Sequence, residues 1–158
     1  MISLFKRFFR SMGYALQGIK LGIKEERNMR IDIVAMLFVW FHMQFYDFTR
    51  GETAIIVLVT FLIPAFELMN TAVERAVHKP DAEHWMPAGD AKDTAAGAVL
   101  IMTIGVVVIA FIIFFDPQGI SNIIAHYTSG VLAPAGLLAY IIASYFFITI
   151  DNYNKKEK

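Results

Sequence analysis

The stretch TAIIVLVTFLIPAFELMNTAVERAVHK, residues 53–79, is almost wholly apolar except for a few polar residues at helical spacing. Glu67, Asn70, Glu74 and His78 fall within an arc of roughly 80° if this segment is a helix. A carboxylate in the middle of a membrane span costs on the order of 2.5–3.5 kcal/mol. Two on one stripe therefore call for a cation, a proton or a basic partner. Glu74 lies near the end of the segment, where headgroup solvation or an arginine would also satisfy it. Glu67 lies deeper, and burial suits it to the work of a general base.

Two further clusters flank apolar segments. KEERNMR, residues 24–30, precedes the first of them and places Glu26 and Arg30 on one helical face. By itself it also reads as a solvated run of juxtamembrane charge. GDAKD, residues 89–93, precedes the third, and the pattern predicts Lys92 and Asp93 in the first turn of a helix. Amide N–H groups at such a turn bind phosphate, and Lys92 adds positive charge. Asp90 or Asp93 as an N-cap beside an incidental lysine is the alternative. Together the clusters offer Glu26, Glu74 and Asp93 as oxygen ligands for Mg2+, with Arg and Lys for phosphate. That is the equipment for phosphoryl transfer from a nucleotide, in which positioning and charge neutralisation dominate. The chain has no Walker-type glycine–lysine loop, so ATP must be held in another way.

The elements that position these residues follow from composition. Of the 158 residues 57% are hydrophobic and 18% charged, which predicts a single all-α integral membrane domain. The chain has no cysteine, which excludes disulfides, thiolate metal sites and cysteine nucleophiles. Its net charge of zero gives no sign of nucleic-acid binding. The N-terminus does not read as a signal peptide, because Lys6, Arg7 and Arg10 interrupt its apolar residues. Residues 1–26 read instead as an amphipathic surface helix. Leu4, Phe5, Phe8, Phe9, Met12, Leu16, Ile19 and Ile23 lie within roughly 140°, with Lys6, Arg7, Arg10, Lys20 and Lys24 opposite. Spans are expected at about 31–46, 53–77, 94–115 and 131–150. Residues 116–130, with Pro117, Gly119, Asn122 and Gly130, read as an extra-cytoplasmic loop with at most one interfacial turn. Every Lys and Arg except Arg50 falls in the first 30 residues, in the 75–93 loop or after residue 150. This bias predicts both termini in the cytoplasm, and hence an even number of spans. The three clusters then share the cytoplasmic side.

EERNMR (25–30), ELMNTAVE (67–74) and AKDTAAGAV (91–99) occur in the order and spacing of the small prokaryotic diacylglycerol kinase family, which includes undecaprenol kinases. The sequence resembles that family over about residues 5–115. The resemblance implies a kinase-like membrane domain at 1–116: a surface helix and three spans, assembled as a homotrimer with active sites shared between neighbours. The remainder, 117–158, would add a loop, a fourth span and a cytoplasmic tail that typical members lack. The resemblance also implies residue roles. Glu67 would take the proton from the lipid hydroxyl. Glu26 and Glu74 would hold the Mg2+ that bridges the phosphates of ATP. Tyr14, Asn70, Lys92 and Asp93 would contact the nucleotide, and Glu83, His84 and Trp85 would cover it. Arg7, and with it Arg30 and Glu67, would meet the lipid. The expected activity is ATP-dependent phosphorylation of a lipid alcohol, undecaprenol or diacylglycerol, in the plasma membrane of a bacterium. EERNMR and KDTAAGAV look more like Gram-positive members, several of which prefer undecaprenol. One departure stands in the site: His78 replaces the usual Asp, which removes a carboxylate and brings a group that titrates near neutrality. His78 and the fourth span motivate one alternative, an inactive kinase-like scaffold. A small cation or proton channel built on the Glu67 stripe is another, but it would have no use for Lys92 and Glu26.

Overall fold

The computed structural model describes the backbone of residues 2–77 and 86–149, and the side chains of residues 4–77 and 88–149. All of its regular structure is helical. The helices are α1 (Ile2–Glu25), α2 (Arg27–His42), α3 (Arg50–Val77), α4 (Met86–Phe114), α5 (Pro117–Thr128) and α6 (Leu132–Thr149). A 3-10 turn, Met43–Phe45, follows α2.

The amphipathic pattern of the first 26 residues becomes α1, which ends one residue earlier than expected because Glu26 is the N-cap of α2, with extended backbone. Among the described residues α1 is anchored near its C-terminal end. There Gly22 is buried against Leu68 and Met29, so close that a Cβ would collide with the Leu68 side chain. Farther back, Leu4, Phe5, Phe8 and Phe9 are exposed.

Three helices are each long and apolar enough to cross a membrane: Arg50–Val77, Ala88–Phe114 and Leu132–Thr149. The segment expected as the first span is shorter. Its 16 α-helical residues at 1.5 Å each and the three 3-10 residues at 2.0 Å together rise about 30 Å, the thickness of the hydrocarbon layer. α2 packs on α3, where the Trp40 indole donates to Thr60 Oγ1 at 3.0 Å. Ile56, Val59 and Thr60 are buried along α3. α3 opens with a capping box: Thr49 N and Oγ1 both donate to Glu52 Oε2 (2.8 and 2.7 Å), and Glu52 N donates to Thr49 Oγ1 (3.2 Å). Pro64 is buried inside α3 and cannot donate to the carbonyl four residues before it.

Two expectations are corrected. Residues 116–130 are not a loop, because most of them form α5. Asp116 caps that helix by accepting from Gly119 N at 2.7 Å, and Pro117 takes the first turn, where its missing N–H is harmless. Gly119 was read as a breaker, but it is there for closeness: a Cβ would strike the Tyr46 ring. The helix that carries the third span begins not at Lys92 and Asp93 but at Met86, with Pro87 in its first turn. Lys92 and Asp93 therefore lie past the first turn, where amide N–H groups are already committed to the helix. They do not form a helix-N-terminal phosphate site.

Candidate active site

The site is built where α1 meets α2, beside the C-terminal half of α3. Glu26 sits at the elbow, and its side chain makes no cap hydrogen bond to α2. Two turns of α2 bring Asn28 and Asp32 toward α3. There Glu67 is only 9% exposed. Asn28 is a hydrogen-bond partner of Glu67, and Glu26, Asp32 and Glu74 all lie near enough to act on it electrostatically. One turn farther along α3, Asn70 Nδ2 donates to Glu74 Oε1 at 3.4 Å. The outcome is a file of carboxylates, Glu26, Asp32, Glu67 and Glu74, with Asn28 and Asn70 among them. Two of its buried oxygens, Asp32 Oδ2 and Asn70 Oδ1, have no hydrogen-bond partner. Buried acceptors without donors are costly unless something else satisfies them.

Cations border the file. Arg75 Nη2 lies 3.0 Å from Glu25 and 3.7 Å from Glu26, tying the end of α3 to the elbow. Arg30, 3% exposed, donates through Nη1 to the Ile23 and Lys24 carbonyls (3.0 and 2.8 Å) and through Nε to the Ile148 carbonyl (3.3 Å). These contacts bring the start of α2 and the ends of α1, α3 and α6 to one side of the molecule.

Of the residues expected in the site, the structure brings together Glu26, Glu67, Asn70 and Glu74, with Arg30 at the rim. Lys92 and Asp93 make no direct contact of this kind with them. Both are exposed on α4, and among the described residues no hydrogen bond or ion pair joins them to the carboxylates. Tyr14 and Arg7 are exposed on α1. Counted along that helix, they lie about 18 and 28 Å before Glu26. Glu83, His84, Trp85 and the divergent His78 lie outside the described residues. Sequence reasoning passed over Asn28, Asp32 and Arg75. The spacing of Asn28 and Asp32 on α2 carried the signal, since residues four apart lie on one face of a helix.

Among the described residues no group of three or more His, Cys, Asp or Glu side chains is arranged to hold a metal by itself. Mg2+ ordinarily takes one or two carboxylates and completes its shell with water and phosphate oxygens. The hard oxygen donors here, including the two unpartnered ones, fit a magnesium held jointly with a nucleotide. They do not fit a metal held by protein alone. A cavity of about 800 Å3 lies toward the other end of α2, lined by Phe38, Phe41, His42, His126, Tyr127 and Tyr140 among others. It includes none of the acidic residues and is apart from this chemistry.

The model of a family described as prokaryotic diacylglycerol kinase matches residues 13–114. A diacylglycerol kinase from Helicobacter pylori (strain J99) is 32% identical over 108 residues, which cover 68% of this chain and 82% of that protein. An undecaprenol kinase from Bacillus subtilis (strain 168) is 33% identical over 108 residues, 68% of this chain and 88% of its own. A diacylglycerol kinase from Escherichia coli (strain K12) is 26% identical over 115 residues, 73% and 94% of the two chains. No solved structure matches. α5 and α6 lie beyond the residues that the family model matches.

Proposed function

The chain belongs to the prokaryotic diacylglycerol kinase family and is a lipid kinase of a bacterial membrane, and from that premise we propose that it transfers the γ-phosphoryl group of ATP, with Mg2+, to the hydroxyl of undecaprenol or diacylglycerol. The observation that carries this reading is the burial of Glu67 beside Asn28, with Glu26, Asp32 and Glu74 around it.

Glu67 is the general base. Its carboxylate, hydrogen-bonded to Asn28, is placed to take the proton of a lipid hydroxyl. The lipid O–H gives its proton to Glu67, its oxygen forms the new O–P bond, and the bond from that phosphorus to the ADP oxygen breaks. The products are a lipid phosphate and ADP. Glu26 and Glu74 would hold the magnesium, which would supply charge neutralisation to the phosphates. Asn70 orients Glu74 through its amide N–H, and its carbonyl oxygen is buried without a partner beside it. Lys92 and Asp93 of α4 contact the nucleotide, and Glu83, His84 and Trp85 cover it. Arg7, Arg30 and Glu67 meet the lipid.

Tyr14 and Arg7 are too far along α1 to reach the carboxylates of their own chain. This distance supports a homotrimer in which α1 of one protomer serves the site of its neighbour. The site faces the cytoplasm, where ATP is, so both termini lie there. The two relatives of nearly equal identity are an undecaprenol kinase and a diacylglycerol kinase, so likeness does not choose the lipid.

The test is purified protein with labelled ATP and Mg2+, offered undecaprenol and diacylglycerol side by side in lipid or detergent. Labelled lipid phosphate from one of them identifies the acceptor. ATP-dependent labelling of neither would overturn the proposal.

A further inference from the structure

α6 runs antiparallel to α2, and the contacts between them form a seam. Arg30, Val34 and Phe38 recur every four residues along α2. Tyr140, Ser144 and Ile148 do the same along α6, each set falling within about 80° on its helix. Phe38 meets the Tyr140 ring at a centroid separation of 6.1 Å, and the Tyr140 hydroxyl donates to the Val34 carbonyl. At the site end of the seam the Arg30 guanidinium donates to the Ile148 carbonyl in the last turn of α6. The last carbonyls of a helix have no partner within it and carry the negative end of its dipole, so a buried guanidinium is well matched to them. The same guanidinium donates to the last carbonyls of α1. Arg30 therefore joins the ends of α1 and α6 to the first turn of α2, four residues after Glu26 and next to the turn that carries Asn28 and Asp32.

We infer that α6, which lies outside the residues matched by the family model, is a positioning element of the kinase site, acting through Arg30 to hold the elbow that carries Glu26. This rests on the proposed kinase reading for what Glu26 binds, but not for the geometry of the joint. α6 touches no reacting atom. Its last turn receives the guanidinium, the guanidinium fixes the end of α1 against the start of α2, and the elbow between them presents the Glu26 carboxylate. A joint of this kind acts on the fraction of molecules in which Glu26 is correctly placed. Weakening it lowers nucleotide affinity before it lowers turnover at saturation.

The test uses the full chain, its Arg30→Lys and Tyr140→Phe variants, the double variant, and Leu138→Ala as a control on the exposed side of α6. MgATP affinity is read by equilibrium binding, and KM and kcat are read with the acceptor lipid. Lysine keeps the charge but cannot reach carbonyls of two helices as the guanidinium fork does. Both joint variants are expected to weaken MgATP binding and raise its KM about five-fold, the worth of one hydrogen bond. For Tyr140→Phe, kcat should stay within about two-fold, and Leu138→Ala should change nothing; Arg30→Lys is judged on MgATP binding alone, because Arg30 also meets the lipid. Because both contacts hold one joint, the double variant should weaken MgATP binding at least as much as the more affected single one. Unchanged MgATP affinity in Tyr140→Phe, or in the double variant, would overturn the inference. If the parent phosphorylates lipid but the joint variants bind MgATP as it does, this inference falls alone. If the parent binds MgATP but labels no lipid, the kinase reading falls and the binding comparison still decides the role of α6. A parent that binds no MgATP sinks both.

Discussion

Glu67 occupies a position that only chemistry explains. It is 9% exposed in a helix otherwise filled with Ile, Val, Leu and Phe, and three other carboxylates stand near it. For packing alone, a glutamine would fill the same space and keep a hydrogen bond to Asn28. Glu67→Gln is therefore expected to keep the helical content and melting profile of the parent while losing lipid phosphorylation by at least about 100-fold, the usual worth of a general base. Circular dichroism and the labelled-ATP assay check the two halves, and turnover near the parent rate would remove Glu67 as base. Glu26 and Glu74 are assigned a different job, and a different response follows. Glu26→Gln and Glu74→Gln should shift the Mg2+ titration of activity to higher concentration, because the amide keeps the shape but loses the charge a hard cation prefers. Unchanged titrations would place the metal elsewhere. His78 stands where the family pattern has Asp, so His78→Asp should give equal or higher activity, and a large loss would give the histidine a role of its own. Glu67, Asn70 and Glu74 were legible because a polar stripe in an apolar helix has few innocent explanations. Asp32 was missed because the charge run of KEERNMR drew attention to its own residues, although Asp32 shares their helix.

At the scale of elements, the long apolar helices declared themselves, and the errors fell at short segments and helix starts. Pro117 and Gly119 carry the composition of a loop. Asp116 turns that same composition into a helix by capping it, with proline in the first turn and glycine tucked beneath an aromatic ring. Breaker residues mark the edges of elements as often as their absence. The start of α4 was misjudged in the same way, since Asp90 and Asp93 look like caps while Pro87 lies in the actual first turn. The packing of α5 on the end of α2 rests on Gly119. Gly119→Ala would force the Tyr46 ring from its place, and that ring also stands edge-on to Phe114 and donates its hydroxyl to the Phe114 carbonyl at 3.2 Å. The expected cost is about 1–3 kcal/mol, the usual penalty for overpacking, read as a lowered melting temperature in a fixed detergent. Lipid kinase turnover at low temperature should change little, since this contact is at the far end of α2 from the carboxylates.

The whole molecule makes sense only within a bilayer. Leu100, Ile101, Ile104, Val107, Phe111 and Ile112 of α4 are all more than half exposed in the single chain. In water, each would cost on the order of a kcal/mol or more relative to burial. Hydrocarbon or neighbouring copies remove that cost. What the chain cannot reveal by packing is which way it faces, because the two sides of a bilayer offer the same solvent. Orientation is carried instead by charge. The positive-inside bias predicts the elbow of α1 and α2 in the cytoplasm and Arg50 outside. The seam of α2 and α6 adds a geometric constraint: the start of α2 and the end of α6 are on one side. α3, with Arg50 at its start, ends against the elbow on that same side. The absence of native cysteine makes the prediction directly measurable. Single cysteines at Lys24 and at Ser129, both exposed, should respond oppositely to a membrane-impermeant thiol reagent. In right-side-out vesicles only Ser129→Cys should be labelled, and in inverted vesicles only Lys24→Cys. Labelling of both from one side would mean an even number of crossings between them. The short α2 would then be the segment that fails to cross, and the carboxylate site would have to reach its nucleotide by another geometry.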